Sequence, residues 1–135
     1  MTPEQSRRLA EFLAPSHIVV VATIGASGMP QLTPNWYVYT KGTLMISTTK
    51  ERVKYRNLTR DNRMSVCIYS EPLAENYVTL WGRVNIRDDA SIWPHTRAIV
   101  ERYVPPQGVE ARMHQLRTQN RVILDFTPER VLFRV

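Results

Sequence analysis

Lys50, Arg52, Lys54, Arg56 and Arg60 crowd a single run of the chain, Ser47-Thr48-Thr49-Lys50-Glu51-Arg52-Val53-Lys54-Tyr55-Arg56-Asn57-Leu58-Thr59-Arg60. The run leaves a stretch of strand character and enters one of helical character, with Thr48 and Glu51 at capping-box spacing. A helix start there offers free backbone N–H groups and a positive dipole end, and the Thr48 and Thr49 hydroxyls can donate beside them. The chemistry this suits is the holding of a phosphate or another anion. On a helix, Lys50 and Lys54 share one face, while Arg52, Arg56 and Arg60 line another. The same spacing also fits a solvated basic helix surface. It fits a nucleic-acid backbone too, with Trp36, Tyr37 and Tyr55 as stacking platforms.

Other chemistries find little footing. His17, His95 and His114 have no second ligand at metal spacing, so no metal site is expected. The serines lack a nucleophile-elbow motif, and no Gly-rich phosphate loop occurs. The lone cysteine, Cys67, lies in the apolar run Met64–Tyr69 and excludes a disulfide framework; it reads as a buried, inert thiol. The 135 residues carry 18 Lys+Arg against 12 Asp+Glu, a formal net charge of +6, which favours anionic partners. No stretch approaches the ~18 apolar residues of a membrane span, and the start lacks the layout of a signal peptide. A cytoplasmic protein with no membrane partner is therefore expected.

The elements that must position the basic run form one domain over residues 1–135. Thr2, Pro3 and Gln5 predict a capped helix to about Leu13. His17–Ile24 predicts a strand buried on both faces, and the turn residues Gly25–Gly28 return it antiparallel. Gln31–Thr40 reads as the next strand, with Pro34 marking an edge or bulge. Thr43–Ser47 is a third strand, followed by a helix to about Arg60 and a strand over Arg63–Tyr69. Tyr77–Arg87 has a clean period of two. Helices are expected over about Ser91–Tyr103 and Val109–Gln119, and two strands, Val122–Phe126 and Val131–Val135, close the chain. Strands joined by tight turns, with short helices between, predict an α+β, mainly antiparallel fold: a small β-barrel with helices outside.

The first strand, the turn with Pro30, the second strand and then "ISTTKERVKYRNLTRDNRMSVCI" together resemble the pyridoxamine 5′-phosphate oxidase-like split barrels. Within them the chain is most similar to the F420-dependent and flavin-dependent reductases, up to about Asp89. The resemblance implies a split β-barrel with short flanking helices. It also implies an oxidoreductase that uses F420, or alternatively FMN, to pass a hydride to a small electron-poor organic acceptor.

In that family the strand-to-helix segment binds the cofactor phosphate; the match falls on Thr48, Thr49, Lys50, Arg52 and Lys54, flanked by Ser47 and Arg56. Lys54 aligns with the phosphate-binding lysine. Thr33, Pro34, Asn35 and Trp36 lie where the second strand passes the ring, and Tyr37 is a further candidate neighbour. The alternation of Trp36 with Leu32 and Val38 equally suits a core residue. The resemblance implies a homodimer with sites at the subunit interface, near Trp81 and Arg83.

Thr33 and Val38 stand where true pyridoxamine-phosphate oxidases place basic residues, and the C-terminus lacks their Arg-x-His segment, so pyridoxamine phosphate is not the expected substrate. The arginine stripe suits the long anionic tail of F420. No catalytic acid is assigned. A flavin, F420 or haem carrier without turnover, and a basic nucleic-acid-binding barrel, are the rival readings.

Overall fold

Local chemistry starts the first helix. Thr2 N donates to Gln5 Oε1 (2.8 Å) and Gln5 N to Thr2 Oγ1 (3.1 Å). With Pro3 at the first helical position, this capping box begins α1, Pro3–Leu13. The computed structural model describes residues 1–135. After α1 come β1 (Ile18–Ile24), β2 (Pro30–Asn35), β3 (Val38–Thr40), β4 (Thr43–Thr49) and α2 (Val53–Arg60). They are followed by β5 (Arg63–Tyr69), β6 (Tyr77–Arg87), α3 (Ile92–Tyr103), α4 (Val109–Leu116) and β7 (Arg121–Arg134). No helix is long and apolar enough to cross a membrane.

The strands form one seven-stranded antiparallel sheet in the order β2-β1-β5-β6-β7-β4-β3. Val19 and Val21 near one edge share an apolar cluster with Leu44 and Ile46 near the other. Only a sheet curled on itself brings them together, and Leu9 and Leu13 of α1 complete that interior. Outside, Ile92 and Ile99 of α3 cover Met45 and Ile123 of β4 and β7. The result is the α+β split barrel.

Four expectations need correction. The run Gln31–Thr40 is not one strand: it breaks at Trp36-Tyr37, so that β2 and β3 become opposite edges of the sheet. The Tyr37 side chain drives the break, since it is fully buried with its hydroxyl 2.9 Å from the carbonyls of both Leu13 and Pro15. Tyr37 is therefore core, not a ring neighbour. Next, Thr48 and Thr49 belong to β4, where they pair with Val122 and Arg121. Strand pairing outweighs the local cap, and α2 begins at Val53 with no side-chain cap.

Third, the two C-terminal strands merge into β7. Pro128, which cannot donate to the ladder, is absorbed where the β6–β7 register shifts between Trp81 and Gly82. A Cβ at Gly82 would stand 2.1 Å from the Thr127 carbonyl oxygen, so only glycine fits there. Fourth, β1 is buried on one face. Val19, Val21 and Thr23 are covered, whereas Ile18, Val20, Ala22 and Ile24 remain half-buried on an outer face. Cys67 lies on that same outer face, half-buried, and burial pushes its thiol pKa up, consistent with an inert group.

Candidate functional site

Because β2 and β4 are not hydrogen-bonded to each other, a gap stays open between Thr33–Asn35 and Ser47–Thr48. A cleft of about 320 Å³ lies there, lined by those β2 residues, Ser47 and Thr48, with Arg52, Lys54 and Arg121. It adjoins a second cleft of about 270 Å³ that shares Pro34, Asn35, Ser47 and Arg121. The second is walled by Trp36, Thr96, Ile99, Val100, Leu116 and Arg112. A third recess of about 420 Å³ continues past Arg52 and Arg121 along Thr49, Glu51 and the turn Thr118–Asn120. Dimensions of this order suit a small-molecule ligand.

Electrostatics distinguish the gap. Lys54 is 5% exposed, and its ammonium opens to the cleft with no side-chain hydrogen bond or ion pair to the protein. Burial pushes its ammonium pKa down, and the charges of Arg52 and Arg121 push it further. The Arg121 guanidinium is lowered for the same reasons: burial first, then Arg52 and Arg112. No carboxylate lines the first two clefts. Like charges held in a recess without an acid cost folding free energy, and an anionic ligand relieves that cost. Arg121 also donates through Nε to Gln119 Oε1 (2.8 Å) and reaches Ser47 Oγ at 3.5 Å.

The gap brings together most of the residues singled out in the sequence: Thr33, Pro34, Asn35, Trp36, Ser47, Thr48, Arg52 and Lys54. Asn35 is fixed by its own strand, Nδ2 donating to Thr33 O (2.9 Å) and Thr33 Oγ1 (3.1 Å). Thr49 lines only the third recess. Lys50 turns away to Asp88 (2.7 Å), and Arg56 donates to the Glu51 carbonyl (3.2 Å); neither lines a cleft. Arg60 is held by Ile24 O and Asn57 Oδ1, both at 3.0 Å. Val38 packs beside the α3 cluster. Trp36 is half-buried in the cleft wall, its ring stacked on Tyr103 at 5.0 Å and 4°.

Sequence reasoning missed Arg121, Arg112 and the α3–α4 wall. The one signal for Arg121 is its pairing with Thr49, which demands that the last strand be set beside Thr43–Thr49.

Compared with known sequences, the chain matches the profile described as pyridoxamine 5′-phosphate oxidase over residues 6–134. The chain belongs to the pyridoxamine 5′-phosphate oxidase family. Comparison with curated proteins finds no match.

As expected of a pyridoxamine 5′-phosphate oxidase fold, the chain superposes on several solved structures. A conserved hypothetical protein of Mycobacterium tuberculosis is 25% identical with a TM-score of 0.81, covering 99% of this chain and 84% of that one. An F420 reductase is 20% identical with a TM-score of 0.72, covering 91% and 94%. The haem storage protein of Vibrio cholerae is 17% identical with a TM-score of 0.71, covering 93% and 92%. The likeness to the last two concerns the fold.

Proposed function

We propose that the chain is an oxidoreductase that binds F420 at the split of its barrel, with FMN the alternative, and reduces a small electron-poor organic acceptor. One observation carries the reading. Lys54 is buried and unpartnered between Arg52 and Arg121, a site that the phosphodiester of such a cofactor would neutralise. Thr48 and Ser47 add hydroxyls, and Asn35 offers a fixed amide edge. A bound reduced deazaflavin or flavin supplies the hydride. Ile99, Val100 and Leu116 exclude water from the adjoining cleft and, with Trp36, hold a planar acceptor. The third recess favours F420 over FMN, because its polar walls offer room for an anionic tail that FMN lacks.

Among the rival readings, a haem carrier is supported by the fold likeness to a haem storage protein. It needs an axial ligand, yet no His, Cys, Met or Tyr lines any of the three recesses. A nucleic-acid surface needs its cations on an open face, whereas these line clefts. Absorbance and fluorescence titration with F420 and FMN tests the cofactor reading. Tighter binding of F420 is expected; equal affinities overturn the preference, and no binding of either overturns the site. Turnover of reduced cofactor with a panel of enones and quinones separates an enzyme from a carrier.

The same reading includes a homodimer. The outer face of β1, β5, β6 and the C-terminal half of β7 has no helix over it. One register row runs Pro34, Val20, Cys67, Thr79, Leu132, and the next Leu32, Ala22, Ser65, Trp81, Arg130. Leu32, Leu132 and Trp81 are 59%, 53% and 39% exposed in the single chain. Exposed apolar side chains on one uncovered face call for a cover, and at Pro34 the face runs into the cleft. Light scattering that gives a mass of 15.7 kDa overturns the dimer.

A further inference from the structure

Among the cations of the α3–α4 layer Arg112 is the one that lines a cleft; Arg117, equally unbonded and 4.7 Å from the Trp93 ring centre, does not. Arg97 is bound to Glu110 at 2.6 and 3.2 Å. Arg102 donates to the carbonyls of Ala14 (3.1 Å), Leu13 (3.3 Å) and Pro15 (3.0 Å). Arg112 makes no hydrogen bond and no ion pair; it lines the apolar cleft with its guanidinium 5.2 Å from the Trp36 ring centre. Trp36 is itself held by Tyr103, so the cation has a fixed aromatic support. It does not line the Lys54 cleft, whereas Arg121 lines both. The recess thus holds Arg112 close enough to Arg121 for its charge to be felt there, along an apolar wall of Ile99, Val100 and Leu116.

Few other polar groups of that cleft are free to read a ligand. The Thr96 hydroxyl is spent on the Ile92 carbonyl (2.8 Å), and Asn35 Nδ2 on Thr33. What remains is Arg112, a planar cation whose fork of donors matches a carboxylate. We propose that the acceptor is a planar conjugated carboxylate and that Arg112 is the residue that selects it. The inference rests on the reading of the Lys54 cleft, which Arg112 does not line, as the cofactor site.

Calorimetry with 1-naphthoate and its neutral isostere 1-naphthamide tests this on the whole protein, with F420 titrated in parallel. The wild-type chain is expected to bind naphthoate about tenfold or more tightly than naphthamide, the scale of a charged hydrogen bond. Arg112→Gln should abolish that preference while leaving F420 affinity unchanged, and Arg112→Lys should restore it only in part. Lys54→Met should do the reverse, losing F420 and keeping the preference for naphthoate. Equal binding of the two naphthyl probes by the wild-type chain overturns the proposal. So does an Arg112→Gln variant that loses F420 as well, because Arg112 would then belong to the cofactor site. If the wild-type chain prefers naphthoate but binds neither F420 nor FMN, the carboxylate site stands and the cofactor reading fails.

Discussion

On β7, Arg121 and Asp125 flank Ile123 on one face of the strand and meet opposite surroundings. Asp125 is buried, and its Oδ2 accepts from Arg87 Nε at 2.7 Å and Nη2 at 2.6 Å. Arg121 meets Arg52 and Arg112, with Lys54 close by, and the one carboxylate of the three recesses, Glu51, accepts from Asn120 instead. Other ion pairs repeat the first pattern: Lys50 with Asp88, Arg63 with Asp61, Arg83 with Glu129. Six of the 18 Lys and Arg residues are held in ion pairs, and Arg52, Lys54, Arg112 and Arg121, which are not, line the clefts at the split. On the proposed function, the unpaired charge in this recess is where a ligand completes the electrostatics, while the paired charge of Asp125 and Arg87 is structural.

The largest expected effect lies on the paired side. Asp125→Ala removes the partner of Arg87, itself 38% exposed, and should lower stability by about 2 kcal/mol in urea titrations, the scale of a charged hydrogen bond. The Oδ1 atom of Asp125 already lacks a partner, so the carboxylate's worth rests on Arg87 alone. Arg121→Ala should cost less than about 1 kcal/mol, because relief from Arg52 and Arg112 offsets the lost bonds to Gln119 and Ser47. Equal losses in the two variants would dissolve the contrast.

Next in size is Lys54→Met, which keeps the apolar stem and removes the charge. F420 affinity should fall about tenfold to a hundredfold, the range of a charged hydrogen bond. The apo-protein should hold its stability or gain up to about 1 kcal/mol, since a binding group held against local repulsion trades stability for function. Retained F420 affinity would remove Lys54 from the site. A large loss of apo stability would make it a structural residue like Asp125.

Lys54 was legible in the sequence and Arg121 was not, and the difference is physical. Lys54 sits in a local run whose spacing carries its own signal. Arg121 reaches the same cleft through the pairing of Thr49 with Arg121, a contact between distant parts of the chain. The fold divides likewise. The Thr2–Gln5 cap, Arg63–Tyr69 and Tyr77–Arg87 follow from nearest neighbours, and the structure returns them. The break at Trp36-Tyr37 depends on where the Tyr37 ring finds its core, which no local pattern encodes. Thr48 belongs to the same class, since its capping-box spacing was outweighed by a ladder to Val122.

A pH series sharpens the contrast with a smaller signal. The folded-state pKa of Lys54 lies below the ordinary lysine value of 10.5, chiefly through burial. Between those two values the unfolded chain binds more protons than the native one, so native stability rises with pH. Tyr37, Tyr39 and Tyr103 act in the opposite sense, because burial raises their pKa values and that contribution is lost at alkaline pH. The measurement is therefore the difference between wild-type and Lys54→Met unfolding curves. The wild-type chain should close its deficit as pH climbs toward 10.5, and F420 affinity should fall over the same window. A difference that stays flat with pH would mean that Lys54 is not held charged at a cost.

The smallest effects belong to Lys50 and Arg56, cations of the same basic run that never reach the cleft. Lys50 is turned to Asp88 on an exposed surface, and Arg56 to a backbone carbonyl. Their charges act on a bound anion only through solvent, where salt screens them within roughly a Debye length. Lys50→Ala and Arg56→Ala should each change F420 affinity by less than about twofold at physiological salt, and the residual effect should vanish as salt is raised. Lys54→Met should keep most of its loss under the same conditions, because Lys54 is only 5% exposed and salt screens it less. A loss at Lys50 or Arg56 that matched Lys54 and survived high salt would mean that the ligand lies along the outer face of α2. The split would then no longer be distinguished by its unpaired charge.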